Sequence, residues 1–376
     1  MPAFWWSLRT GRYGIRPLTR FDTSAHRQKI GGEVEGFALS ETPDPALQFA
    51  RAAALEAATM ARLEEIADRS TVAVVTASNF GAMEEVCRLL AGKRNGERLA
   101  AARFGRASET VAEALDATGP KSAISLSCSS GNAALGYALD LLRATPIRAV
   151  VVVGYDAISE LAWSGLTALR TMTTNLIRPF DARRDGTIFS EGAGALVLER
   201  GDNAEQRGVE CLAEILGHGT NNNAFHMAHP DACGEGMARA MTMALEDAAV
   251  APDEVDHINA HGTGTKYNDP TETQAIKKIF GERARRIPIC SIKSMLGHAM
   301  GAASALEAIA TVLTLREGII PPTIHLEVPD PECDLDYVPN QARAHEVRIA
   351  ISNSAGIGGP NSVVVLGRWA ETRGGT

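Results

Sequence analysis

The chain has 376 residues, 45% apolar and 22% charged, with 35 Gly, 17 Pro and a formal net charge of -8. This composition excludes a disordered, collagen-like or disulfide-stapled chain, and at this length roughly 75% of the unfolded surface is buried on folding, so a large core needs no staples. The acidic balance argues against general nucleic-acid binding, no stretch reaches the ~20 apolar residues of a membrane span, and the six cysteines form no C-x-x-C pair, which predicts reduced thiols in the cytoplasm and no metal site.

Residues 1–20 carry Arg9, Arg12, Arg16 and Arg20 but lack the continuous apolar run of a secretory signal. Beyond them the pattern predicts a helix over 45–66, strands at 72–76 and 123–127, a helix over 131–143, and strands at 149–153 and 193–198. A charged stretch, 199–210, divides the chain. After it come a strand at 212–216, a helix over 235–250, a strand at 257–260 and a helix over 270–280. The series closes with a strand at 287–290, a helix over 302–316, and strands at 347–352 and 362–366. Buried strands alternating with helices predict an α/β architecture. Residues 54–58 are echoed by 244–248, and 192–198 by 358–366. An ancient duplication and the chance recurrence of Gly turns before Val-rich strands both fit these echoes.

The segment most informative for chemistry is Ser125-Leu126-Ser127-Cys128-Ser129-Ser130-Gly131-Asn132, an apolar strand running through a cysteine into a helix. At such a junction unpaired N–H groups and the helix dipole favour a thiolate, which predicts a nucleophile; a small buried apolar residue is the plainer role. Far along the chain, Ala260-His261-Gly262-Thr263-Gly264-Thr265 sets a histidine at a strand end among glycines and hydroxyls. Lys293-Ser294-Met295-Leu296-Gly297-His298 puts Lys293 and a second histidine in a turn that opens a helix. Asn353-Ser354-Ala355-Gly356-Ile357-Gly358-Gly359-Pro360-Asn361 is a glycine-dense loop of the kind that aims N–H groups at an oxyanion. All lie at carboxyl ends of predicted strands, where open α/β sheets place their sites. Of the nine histidines, only His226 and His229 otherwise suggest a metal by spacing, and no third ligand accompanies them.

These motifs, with Arg178-Pro179-Phe180-Asp181-Ala182-Arg183-Arg184-Asp185-Gly186 and Glu191-Gly192-Ala193-Gly194, resemble in order the β-ketoacyl-acyl-carrier-protein synthases of the elongating type, condensing enzymes of thiolase-like fold. The resemblance implies two similar halves, here 1–200 with the nucleophile and 201–376 with both histidines, in an α-β-α-β-α layering. It implies a Cys128, His261, His298 triad, Lys293 supporting His298, Glu307 behind them, and an oxyanion hole from the Cys128 and Ile357 N–H groups. It also implies Thr263 and Thr265 against a phosphopantetheine arm. The expected reaction transfers an acyl chain to Cys128, decarboxylates a malonyl thioester and joins the two. No bound cofactor is expected, because the arm of an acyl carrier protein delivers both thioesters. A homodimer is expected, with a heterodimer as the alternative. A non-condensing, chain-length-factor-like subunit is the second reading, opposed by the presence of Cys128, and an acyltransferase without decarboxylation is the third, opposed by the two histidines.

The chain also departs from the resemblance. The usual opening Val-rich strand is missing, and Phe4-Trp5-Trp6 stands near the start. Ala355 and Ile357 occupy positions that usually hold Phe, so Ile357 implies a smaller gate. Ser127, Ser190 and Pro360 replace Ala, Gly and Thr, and the basic cluster usual before the helix near Ala46 gives way to Ser40-Glu41-Thr42-Pro43-Asp44-Pro45. Carrier docking is therefore expected from other residues, with Lys93, Arg94, Arg98, Arg103 and Arg106 as candidates beside the alternative of a solvated charged face.

Overall fold

Runs of β-branched residues too apolar to face water on either side dictate the two central strands of the N-terminal half. In the computed structural model, which describes residues 1–37, 44–92, 96–227 and 229–369, these runs form strands buried along their whole length. Helix α1 (Pro2–Arg9) and helix α2 (Pro45–Met60) precede strand β1 (Val72–Ala77), followed by α3 (Arg106–Leu115), β2 (Lys121–Ile124), α4 (Ser130–Ala144), β3 (Ala149–Asp156) and β4 (Gly192–Glu199). The C-terminal half runs β5 (Glu214–Asn222), α5 (Glu235–Ala248), β6 (His257–Asn259), α6 (Asn268–Phe280), β7 (Ile289–Cys290), α7 (Ala303–Glu317), β8 (Ile349–Ala355) and β9 (Pro360–Gly367).

The first sheet has the order β2-β1-β3-β4, parallel except for β4. The second has the order β5-β9-β8-β6-β7, with β8, β6 and β7 parallel. Helices α4 and α7 lie between the sheets and touch both, α2 and α3 cover the outer face of the first, and α5 and α6 the outer face of the second. The outcome is the expected five-layered pair of similar halves. Helix α7 is apolar on nearly all sides because sheets flank it on both faces. Gly131 lets α4 and α7 cross closely: a Cβ there would sit 2.5 Å from the Ala305 nitrogen.

Boundaries moved where local chemistry intervened. The helix expected over 45–66 stops at Met60, and Arg62 takes a left-handed conformation with φ 48°. The strand expected at 123–127 ends at Ile124, because Ser127 belongs to a turn with φ 52°. Among the described residues no strand lies outside β4. Helix α1 instead joins the helices on either face of β4: the terminal ammonium pairs with Glu56 of α2 at 2.6 Å, and the Trp5 indole N–H donates to Glu317 of α7 at 2.6 Å. Among the described residues, no helix is long and apolar enough to cross a membrane.

Candidate active site

Cys128 stands on an elbow built by serines. The Leu126 N–H donates to Ser130 Oγ at 2.8 Å, the Ser130 hydroxyl donates to the Ser127 carbonyl at 2.6 Å, and the Ser129 hydroxyl donates to the Leu126 carbonyl at 2.9 Å. Together they hold Ser127 in its positive-φ turn, a conformation that costs a non-glycine residue about 1–3 kcal/mol. The Cys128 carbonyl accepts from Ser354 Oγ at 2.9 Å and from Ser304 Oγ at 3.3 Å, which ties the elbow to β8 and α7.

His261 follows β6, and His298 follows the Gly297 turn. Their rings stand 5.5 Å apart and nearly perpendicular, at 83°. Each ring has its Nδ1 engaged as an acceptor. The Met300 N–H donates to His298 Nδ1 at 3.2 Å, and the Lys293 ammonium reaches His261 Nδ1 at 3.3 Å. Burial, with Lys293 nearby, holds both imidazoles well below the ordinary histidine value. Both rings are therefore neutral, and by elimination both carry their proton on Nε2.

Lys293 is buried and paired with Glu307 of α7. Burial pushes Glu307 upward to about 7, against the pull of the ammonium, and its second oxygen has no hydrogen-bond partner. Lys293 acts on His298 through its charge, the electrostatic support expected of it, and its direct contact is with His261.

The thiolate expected at Cys128 is corrected by the structure. The residue is only 5% exposed, and burial raises its thiol above the ordinary value despite lowering contributions from Ser127, Lys293 and Asn79. Burial therefore favours the thiol over the thiolate at rest.

Two acidic residues that the sequence reading passed over hold the His261 loop. Glu272 accepts from the His261 N–H at 2.8 Å and the Gly262 N–H at 2.9 Å. Asp269 accepts from the Gly264 N–H at 3.2 Å and the Phe180 N–H at 2.8 Å. Their sequence signal was slight: two carboxylates one turn apart on α6, eight and eleven residues after His261, which the packing of the helix buries. Thr263 and Thr265 pair their hydroxyls at 2.9 Å beside that loop.

The glycine loop lies over the elbow, since a Cβ on Gly356 would approach Ser127 Cβ at 2.7 Å. Gly356 and Gly359 spend their N–H groups inside the loop, on the Pro360 and Gly356 carbonyls, and the Ile357 N–H is not among those bonds. Ile357 itself is 36% exposed at the rim. Ser190 fits where a glycine is usual because Gly32 and Gly297 leave room for its Cβ.

Among the docking candidates, Lys93 and Arg94 lie outside the described residues, as do positions 40–43 of the replaced basic cluster. Arg98 pairs with the buried Glu85, whereas Arg103 pairs with Glu109, and Arg106 with Glu109 and Glu113, in the pattern of a solvated charged face. The His226 and His229 rings lie 4.7 Å apart, tilted by 32°, and among the described residues no three potential ligands gather around a metal position.

Comparison with known proteins agrees with this geometry. The family described as Beta-ketoacyl synthase, N-terminal domain, matches residues 1–204, and Beta-ketoacyl synthase, C-terminal domain, matches residues 212–327. A 3-oxoacyl-acyl-carrier-protein synthase 2 from Coxiella burnetii is 37% identical, with 97% of this chain and 94% of that protein covered. The structure of the ishigamide ketosynthase/chain length factor superposes with a TM-score of 0.92 at 36% identity, covering 98% of this chain and 95% of that one. A type II polyketide synthase acyl-carrier protein in complex with its ketosynthase bound to the hexaketide gives a TM-score of 0.90 at 34% identity, over 98% and 95%. With a nucleophile elbow, two neutral imidazoles and matches across both halves, the chain belongs to the β-ketoacyl synthase family.

Proposed function

We propose that this chain catalyses the decarboxylative Claisen condensation of an acyl thioester with malonyl-acyl carrier protein, giving a β-ketoacyl-carrier thioester in fatty-acid, polyketide or specialised lipid synthesis. The observation that carries this reading is the pair of buried imidazoles, each with Nδ1 occupied, so that each offers an Nε2–H as a neutral donor. Two such donors on a malonyl thioester oxygen stabilise the enolate that forms as carbon dioxide leaves, in a dry site where hydrogen bonds to a developing charge are strong.

Cys128 takes the acyl group from the carrier, expelling the phosphopantetheine thiol. As the sulfur attacks, the thiol proton passes to the departing phosphopantetheine sulfur, which leaves as a thiol. The Cys128 and Ile357 N–H groups stabilise the oxyanion of acyl transfer. The enolate carbon then attacks the acyl-cysteine, and the collapse of that adduct frees Cys128. Lys293 fixes the His261 tautomer and lowers the thiol, Glu307 balances the buried ammonium, and Thr263 and Thr265 receive the phosphopantetheine arm. No resident cofactor enters the scheme.

The division of labour follows the halves, 1–200 supplying the nucleophile and 201–376 the donors. We expect a homodimer, with a heterodimer as the alternative. The open edge strand β2, exposed at alternate residues and flanked by a partly exposed Tyr137, offers a second chain a sheet to extend. A cytoplasmic setting suits its six free thiols.

The test is intact-protein mass spectrometry after incubation with a panel of acyl-carriers. One acyl adduct, on Cys128 and on no other cysteine, is the expected result. An adduct elsewhere, or none with any carrier, defeats the reading.

A further inference from the structure

A buried carboxylate that the scheme does not use joins the two halves beside the site. Asp156 is the last residue of β3 and is closed off from solvent. Its Oδ1 accepts from the Ser78 hydroxyl at 2.6 Å and the Phe80 N–H at 3.1 Å, and its Oδ2 accepts from the Asn79 N–H at 2.9 Å and the Gly301 N–H at 2.6 Å. Three of these donors belong to the segment that leaves β1, and the fourth to the turn that follows His298. Burying a carboxylate is costly unless hydrogen bonds satisfy it, and the four donors do so. The approach is close: a Cβ on Gly301 would stand 2.6 Å from the Asn79 nitrogen and 2.7 Å from Asp156 Oδ2.

The residue between His298 Nδ1 and this carboxylate is under strain. Met300 is buried with φ 54°, a left-handed conformation that a side chain opposes. Two peptide planes flank its Cα. The plane before it carries the N–H that His298 Nδ1 accepts at 3.2 Å, and the plane after it carries the N–H that Asp156 accepts. The Ala302 N–H, on the Ala299 carbonyl at 3.0 Å, is a further bond within the turn. The His298 backbone is held separately, its N–H on the Ile188 carbonyl at 2.7 Å and its carbonyl on the Ser190 N–H at 2.9 Å.

We propose that Asp156 is a positioning residue for decarboxylation, which keeps the strained Met300 turn in place so that the Met300 N–H stays on His298 Nδ1 and the ring proton on Nε2. The inference rests on the reading of His298 as a donor to the malonyl thioester. In that step the bond to the carboxylate breaks, its electron pair forms the enolate double bond, negative charge moves to the thioester oxygen, and carbon dioxide leaves. Turning the Ala299–Met300 peptide over would return Met300 to negative φ and swing the Ala299 carbonyl to where the N–H now points. An imidazole facing a carbonyl there carries its proton on Nδ1, and Nε2 then has none to give the enolate. Because the His298 backbone has its own anchors, loss of Asp156 changes the proton's place on the ring rather than the ring's place in the site.

The experiment follows two half-reactions of the full-length chain: carbon dioxide release from malonyl-acyl carrier protein, and transfer of an acyl chain from its carrier to Cys128, read by intact mass. The melting temperature of each variant is recorded beside them. Asp156→Ala is expected to slow decarboxylation roughly tenfold in kcat with KM for malonyl-carrier little changed, while acyl transfer stays within about threefold of the parent. Gly301→Ala, whose Cβ pushes the Gly301 N–H off the carboxylate, is expected to do the same, and it carries the test if Asp156→Ala does not fold. Asp156→Asn keeps one carbonyl oxygen for the Gly301 N–H by turning its amide nitrogen toward Ser78 Oγ, and is expected to hold decarboxylation within about threefold of the parent. Decarboxylation at the parent rate in a folded alanine variant, an asparagine variant as slow as alanine, or an equal fall in both half-reactions overturns the proposal. A parent chain that releases no carbon dioxide from malonyl-carrier overturns the underlying reading instead.

Discussion

The two halves share a strand order and position their chemistry by different means. β2-β1-β3-β4 and β7-β6-β8-β9 follow the same connectivity, parallel up to a last antiparallel strand. In the N-terminal half, β1 and β3 run six and eight residues and are buried throughout, so ladder bonds and packing fix the frame, and the nucleophile position is set by the positive-φ turn at Ser127. In the C-terminal half, β6 and β7 have only three and two residues. So short a ladder cannot hold a loop, and carboxylates replace it: Glu272 and Asp269 grip the backbone around His261, and Glu307 anchors Lys293. A nucleophile needs one particular turn, whereas two neutral donors need a rigid lining in which the buried Lys293 ammonium is paired with Glu307.

Substitutions can break or sharpen this contrast. The largest effect is expected at the elbow: Cys128→Ala lowers β-ketoacyl formation by about 10⁴-fold or more, read as product from acyl- and malonyl-carriers, because the covalent intermediate cannot form. Next, His298→Asn slows malonyl-carrier decarboxylation by roughly 10²- to 10³-fold, the usual cost of one preorganised donor. Carbon dioxide release at the parent rate would contradict the enolate role.

The edges of the sheets differ too, since β9 is flanked by β5 while the helices on β4 are bridged by α1. Trp5→Ala should cost about 3 kcal/mol in chemical denaturation, because its indole is only 4% exposed and donates to Glu317. A loss under about 1 kcal/mol would mean that α1 contributes little to that side of the sheet. Glu272→Gln is milder, because one acceptor oxygen survives while the new amide N–H groups face the loop's own donors. A fall of roughly tenfold in kcat is expected, with substrate KM little changed.

The smallest effect is one of pH. With both imidazole values depressed, acidification through 6.5 leaves the neutral rings neutral, and protonation removes them only well below that point. The rings should therefore contribute no decline in decarboxylation between pH 7.5 and 6; Glu307, at about 7, titrates in that window, so a decline centred near 6.5 that persists in Glu307→Gln would show that the rings are hydrated.

Much of this was legible in the sequence. Every predicted strand and helix has a counterpart, since β-branched runs and helical periodicity reflect burial that is largely local. The order of motifs around Cys128, His261, Lys293 and His298 carried the family and the reaction. Three things escaped. The serine elbow shortened a strand because hydroxyls competing for backbone groups break a ladder that apolar content alone would have continued. Glu272 and Asp269 were passed over because a charged residue on a helix usually faces water, and only the packing of α6 reveals that these face inward. The state of Cys128 was misjudged because a helix terminus can be inferred from chain order, whereas desolvation depends on everything packed around the sulfur. The sequence by itself determined which residues can react and where along the chain strands and helices lie, because those are properties of residue type and spacing. The tertiary structure alone decided their surroundings and partners, including Lys293 on His261, because those follow from the dielectric and contacts that distant segments supply.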